Sequence, residues 1–305
     1  MIQLILSFLI INAGPDVGTT GFNFLKIAPS AKEAAMANAS IGLESNTSWS
    51  GFKLWYNPAA NITNRNIGVG YLNYVAGINI GAVSYSKEKP FPFLNSGGVA
   101  ISYLNSGKIK RTDINGNELG TFTVSYLNLN PAGNVTLIKD QLNGGVGLKI
   151  IYGAIDSFYT LAVGADLGVR YKPNIKGLMV GAVVRNFGYQ IKAFNAERDK
   201  LPLDVGFGVG YAVGDNINLA LDIHKPIDNT ILFNLGAEGW VNKYVALRGG
   251  YNSSGADYRT GGSSNVTAGF SVGLGVKYTK YQVDYSFTPI GDLGRLHHIT
   301  LFFLL

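Results

Sequence analysis

The feature that most constrains this chain is a strict alternation of bulky apolar residues with small or polar ones, sustained over long runs. In residues 159–172, one parity holds Tyr159, Leu161, Val163, Ala165, Leu167, Val169 and Tyr171. The other holds Thr160, Ala162, Gly164, Asp166, Gly168, Arg170 and Lys172. A period of two places successive side chains on opposite faces of a strand and gives a helix no apolar stripe. Residues 201–214 divide the same way, with Leu201, Leu203, Val205 and Phe207 opposite Pro202, Asp204, Gly206 and Gly208. So do residues 266–279, where Val266, Ala268 and Phe270 oppose Thr267, Gly269 and Ser271. Shorter runs lie at 122–128, 217–225 and 281–288.

Strand length decides between two architectures. Soluble sandwiches alternate too, but their strands average about five or six residues. Their outer faces are also rich in Lys, Glu and Thr. Here the polar parity is mostly Gly, Ala, Ser and Thr, only 14% of residues are charged, and 40 of 305 are glycine. A membrane barrel needs strands of about 9–11 residues with a greasy outer face and a small or polar inner one. Connections add a separate argument, since tight turns near 173–176, 214–216, 242–243 and 279–280 alternate with loops at 188–200, 225–230, 252–265 and 289–295. Short periplasmic turns and long external loops have this rhythm. The reading is an all-β fold, a transmembrane antiparallel β-barrel of about fourteen strands over residues 65–305. Tyr171, Tyr211, Trp240, Tyr244, Tyr278 and Tyr281 fall at strand ends, where aromatic girdles sit. Asn115-Gly116 signals a type I′ hairpin whose arms extend beyond the bilayer.

Residues 1–13 form an apolar run ending in Ala13, which reads as a signal peptide, with a buried strand as the alternative. Residues 14–64 do not alternate. They hold a short helix candidate from Ser30, with Glu33 at the capping-box position. The segment is expected to be a plug inside the lumen, the alternative being a free periplasmic segment. Glycines at inward positions, Gly206, Gly208 and Gly210, would let it approach the wall closely.

Alternation also sends a set of charges inward: Lys149, Asp166, Arg170, Arg185, Asp204, Asp222, Glu238, Arg248 and Asp284, with Lys277 beside them. Both signs are present, so they are expected either to pair with one another and tether the plug, or to line a passage selective for a polar solute. Catalytic chemistry finds no support. Gly206-Phe207-Gly208-Val209-Gly210 lacks the Lys-Ser/Thr of a phosphate loop and lies mid-strand. His297 and His298 point to opposite faces, so they cannot share one metal without a bulge, and His224 reads as a lumen residue. With no cysteine there is no disulfide or thiolate site. The net charge is +6 but the basic residues are scattered, which argues against nucleic acid as a partner. No enzyme, cofactor or metal is expected.

Phe24-Leu25-Lys26-Ile27, the alanine-rich stretch 31–39 and Leu54-Trp55-Tyr56-Asn57-Pro58-Ala59 together resemble the amino-terminal signature of the PorV/PorQ family. Leu201-Pro202-Leu203, Asp284-Tyr285-Ser286-Phe287, Asp292-Leu293-Gly294 and His297-His298-Ile299-Thr300-Leu301 are similar to its later landmarks. The resemblance implies a fourteen-stranded barrel of FadL-like fold in a bacterial outer membrane, with a plug before the first strand. It also implies that the family's secretion role, receiving cargo proteins in type IX secretion, is one option for this chain. Two functions are therefore expected to compete. One is FadL-like transport of small hydrophobic or amphipathic solutes. The other is binding of a secreted protein or of secretion machinery. Outer-membrane lipid is a partner under either.

Overall fold

A computed structural model describes residues 16–44, 49–259 and 266–305. The signal-peptide reading of residues 1–13 falls outside these described residues. Sixteen strands are found among the described residues. They begin with β1 (Asn66–Asn73), β2 (Asn79–Glu88) and β3 (Ser96–Asn105). A projecting pair follows, β4 (Ile109–Thr112) and β5 (Glu118–Phe122). The tallest strands come next: β6 (Val124–Ile138), β7 (Leu142–Ile155), β8 (Phe158–Tyr171) and β9 (Leu178–Lys192). Then come β10 (Asp204–Val213), β11 (Ile217–Pro226), β12 (Leu232–Trp240) and β13 (Val245–Asn252). The chain ends with β14 (Phe270–Tyr278), β15 (Tyr281–Pro289) and β16 (Arg295–Leu304). All except β4 and β5 join one closed antiparallel barrel of fourteen strands, sealed by β1 against β16.

Closure gives every strand two neighbours, so the wall has no unpaired edge. One interruption is compensated locally. Pro131, midway along β6, cannot donate to β7, and the Asn130 side-chain amide donates to Leu148 O instead, at 2.8 Å. Outside, the apolar parity of each strand is exposed: Leu167 is 50% and Val169 43% accessible on β8, as are Val205 at 51% and Phe207 at 48% on β10. A continuous exposed belt of this kind is what hydrocarbon solvates. Tyr171, Tyr211, Tyr244, Tyr278 and Tyr281 stand in it at the short-turn end. Trp240 does not. It shares the parity of Glu238, turns inward and is buried, with Lys277 Nζ 4.9 Å from its ring centre.

Two of the long alternating runs extend past the wall. Leu201 and Leu203 precede β10, where a tight turn joins Leu203 N to Leu201 O and Pro202 offers no donor, so Leu201 is buried inside rather than lipid-facing. Gly269 takes φ +98° and starts β14 only at Phe270, leaving Ala268 buried off the strand. The Asn115-Gly116 hairpin exists, but its turn is longer than the expected two residues. Asp113 accepts from the amides of Asn115 and Asn117, both at 2.8 Å, and Gly116 alone takes the left-handed conformation.

Residues before β1 form α1 (Ala31–Ala35) and α2 (Lys53–Tyr56). The expected capping box is altered. The Ser30 hydroxyl reaches the Glu33 carboxylate, and the helix amide of Ala31 is capped from the wall by Thr300 Oγ1 of β16 at 2.9 Å.

Candidate functional site

The long-loop end of the barrel holds a cavity of about 860 Å³. Its apolar side comes from Phe22, Phe24 and Trp55 of the segment before β1 and from Leu72, Leu104 and Tyr126 of the wall. Phe24 stacks on Tyr126 at 5.1 Å between ring centres, and Phe22 meets the same ring edge-on at 6.0 Å. Ala34, Ala37, Asn38 and Tyr56 also line it.

The polar side depends on a bulge. Arg185 and Asn186 of β9 together oppose the single Asp166 of β8, and Asn186 takes φ +58°. Two consecutive side chains are thereby brought to the lumen. Asp166 accepts from Asn186 N at 2.8 Å and from Lys149 Nζ at 2.9 Å, while Lys149 also contacts the Asn186 side chain. One residue away, Arg185 Nε donates to Asp204 Oδ2 at 3.1 Å, and His224 Nδ1 lies 3.0 Å from the same oxygen. Lys149 Nζ also stands 5.4 Å above the Trp55 ring, joining the two sides of the cavity.

The nine charges expected to line the lumen divide into three groups. Lys149, Arg185 and Asp204 reach the cavity, with Asp166 directly behind them. Arg170 and Asp222 instead hold backbone. Asp222 Oδ2 accepts from Ser40 N at 2.7 Å and Ile41 N at 3.0 Å. Arg170 donates to Leu43 O at 2.6 Å and to Gly42 O at 3.2 Å, and pairs with Glu44 at 2.6 Å. Glu238, Arg248 and Asp284 form a buried triad, Arg248 Nε to Glu238 at 2.8 Å and Nη1 to Asp284 at 2.7 Å.

Further wall residues touch the same segment. Ser271 Oγ donates to Ala35 O at 3.1 Å, Gln282 brackets Trp49 through its amide and carbonyl, and Asn134 donates to Ala60 O at 2.7 Å. The inward glycines are where the segment comes closest: a Cβ on Gly208 would lie 2.6 Å from Ile41 Cβ.

Sequence reading missed the loop contribution. Asp228, between β11 and β12, accepts from Thr20 Oγ1 at 2.7 Å and Lys26 Nζ at 2.5 Å, tying residues 20–26 to the outer rim. Asp257 and Tyr258 complete that edge of the cavity. Loop residues carry no period, so nothing in the alternation points to them. Asn186 was hidden because the bulge changes its parity.

No protein-family model matches the chain, and no curated protein matches it by sequence. Solved structures do. The toluene transporter TodX of P. putida superposes with a TM-score of 0.59 at 11% identity, covering 88% of this chain and 96% of that one. A TodX monoaromatic hydrocarbon channel with its S2 deletion gives 0.61 at 11%, covering 90% and 97%. A FadL homologue of Pseudomonas aeruginosa gives 0.58 at 11%, covering 90% and 98%. At such identity the likeness is one of fold. The closed wall, the apolar belt and this shared architecture make the chain a FadL-like β-barrel of the bacterial outer membrane.

Proposed function

We propose that the chain is a passive channel for small, uncharged hydrophobic solutes, and that residues 14–64 act as its plug. The observation that carries this reading is the cavity's balance of charge. Each cation lining it is already matched: Lys26 by Asp228, Lys149 by Asp166 and Arg185 by Asp204. A carboxylate solute would have to compete for these cations, whereas an apolar solute finds Phe22, Phe24, Trp55 and Tyr126. Nine inward charges serve here as tethers and as the polar margin of the passage rather than as a solute-binding row. The name of the TodX neighbour, a toluene transporter, agrees with this class of solute.

The test is uptake of radiolabelled toluene and benzoate by cells that lack their own hydrocarbon channels. Expression of this chain should speed toluene entry and leave benzoate unchanged. A barrel that admits neither solute, even after deletion of residues 14–64, ends the channel reading.

Within the FadL-like fold, the PorV/PorQ landmarks support a second reading, a docking component for secreted protein. The β4–β5 hairpin stands apart from the barrel sheet with Ile114 fully exposed and Leu119 62% exposed, a suitable edge for a protein partner. Crosslinking from residue 114 in intact cells should capture a secreted or machinery protein under this reading and nothing under the first.

A further inference from the structure

The basic residues look scattered along the chain, yet the antiparallel topology collects many of them at one end. Lys87 lies at the end of β2 and Lys89 opens the turn to β3, Lys139 lies between β6 and β7, and Lys172 and Lys176 lie between β8 and β9. Lys243 and Lys280 occupy the next two hairpin turns, and Arg65 immediately precedes β1. The short-turn rim thus carries eight basic residues against three acidic ones, Glu88, Asp140 and Asp215. The rest of the molecule is close to neutral, with seventeen basic and sixteen acidic residues. Nearly the whole net charge of +6 sits on one rim.

All eight are exposed, and among the described residues none takes part in an ion pair. The opposite end differs: there Lys110 pairs with Glu118 and Arg111 with Asp156. The rim cations also share their height with the aromatic belt. Lys243 Nζ lies 4.9 Å from the Tyr244 ring centre and the Arg65 guanidinium 5.7 Å from that of Tyr85. Lys172 and Lys280 are sequence neighbours of the belt residues Tyr171 and Tyr281. Belt tyrosines mark headgroup depth, and long basic side chains place their charges at that interface. An unpaired ring of cations at headgroup depth meets lipid phosphate before it meets anything dissolved in the periplasm.

We propose that the short-turn rim is a binding surface for anionic phospholipid headgroups of the inner leaflet, which enrich around the barrel and set its depth. The inference does not depend on what passes through the lumen.

The test reconstitutes the full chain in bilayers of phosphatidylcholine mixed with phosphatidylglycerol. Spin-labelled versions of each lipid report the fraction immobilised at the protein. Phosphatidylglycerol should be retained several-fold over phosphatidylcholine, and salt should erase the preference as it screens the rim. Replacing Lys87, Lys89, Lys172, Lys176, Lys243 and Lys280 by Gln should remove it, whereas Gln at Lys108, Lys110 and Lys192 on the other end should not. The salt titration of the unmodified chain needs no variant to fold. Equal retention of the two lipids, or equal loss from both sets of variants, overturns the proposal and points to a soluble acidic partner.

Discussion

Asp222 on β11 and Arg170 on β8 grip the same stretch of backbone from two parts of the wall, the carboxylate taking the amide protons of Ser40 and Ile41 and the guanidinium donating to the carbonyls of Gly42 and Leu43. These contacts are polar, buried and confined to residues 40–44, so they hold the segment without any covalent link. The double variant Arg170→Ala, Asp222→Ala should loosen it while the barrel stays closed. On the proposed channel reading, single-channel recording should show larger and more frequent openings, and limited proteolysis should cut residues 40–44 while the wall stays resistant. Unchanged conductance would show that the grip does not hold the lumen shut.

Gly208 is required by proximity. Valine there would push into Ile41 and the Asp222 carboxylate, and overpacking of this kind costs about 1–3 kcal/mol. Alanine at Gly239, where a Cβ meets nothing within 4 Å, is the matched control. The measurement is the urea midpoint of refolded protein in lipid vesicles, with Gly208→Val lowered and Gly239→Ala unmoved.

The Glu238–Arg248–Asp284 triad lies in the wall with its side chains fully buried. Removing the central cation leaves two buried carboxylates without their guanidinium, with Asn218 and Gln282 as neutral donors, so Arg248→Met should destabilise by about 3–5 kcal/mol. A triple variant, Glu238→Gln, Arg248→Met and Asp284→Asn, should recover most of that loss. Equilibrium unfolding of the three proteins decides the matter; if the triple variant is no better than the single one, the loss of charge balance is not the cause.

Lys53 makes stability depend on pH. Burial, followed by the nearby Lys32, holds its ammonium down at about 8 from the ordinary 10.5, against a smaller opposing pull from Glu44. Between those values the folded chain binds fewer protons than the unfolded one, so stability should rise with pH across the window and stay flat below it. Lys53→Gln should flatten the rise. Denaturant midpoints taken on either side of the window supply the check.

Much of the wall was legible because hydrocarbon outside and a packed lumen inside force a strict two-residue period, as β8 illustrates from Tyr159 to Tyr171. What the period does not mark is where the ladder stops, so it places Leu201 and Ala268 on a lipid face they never reach. Bulges were equally invisible, and one of them brings Asn186 into the cavity beside Arg185. The rim charges are dispersed along the sequence because their clustering is created by the return of each hairpin to the same end. Asp228 shows the remaining gap: a loop carboxylate acquires its role only when Lys26, some two hundred residues earlier, is folded beneath it.

The contacts that seat residues 16–44 and 49–64 come from β6, β8, β11, β14, β15 and β16, so no docking surface for this stretch is complete until β1 has met β16. A stretch that is synthesised before the barrel strands therefore comes to rest after them. Whatever escorts the polypeptide to the membrane must keep that stretch unoccupied through the whole of barrel assembly.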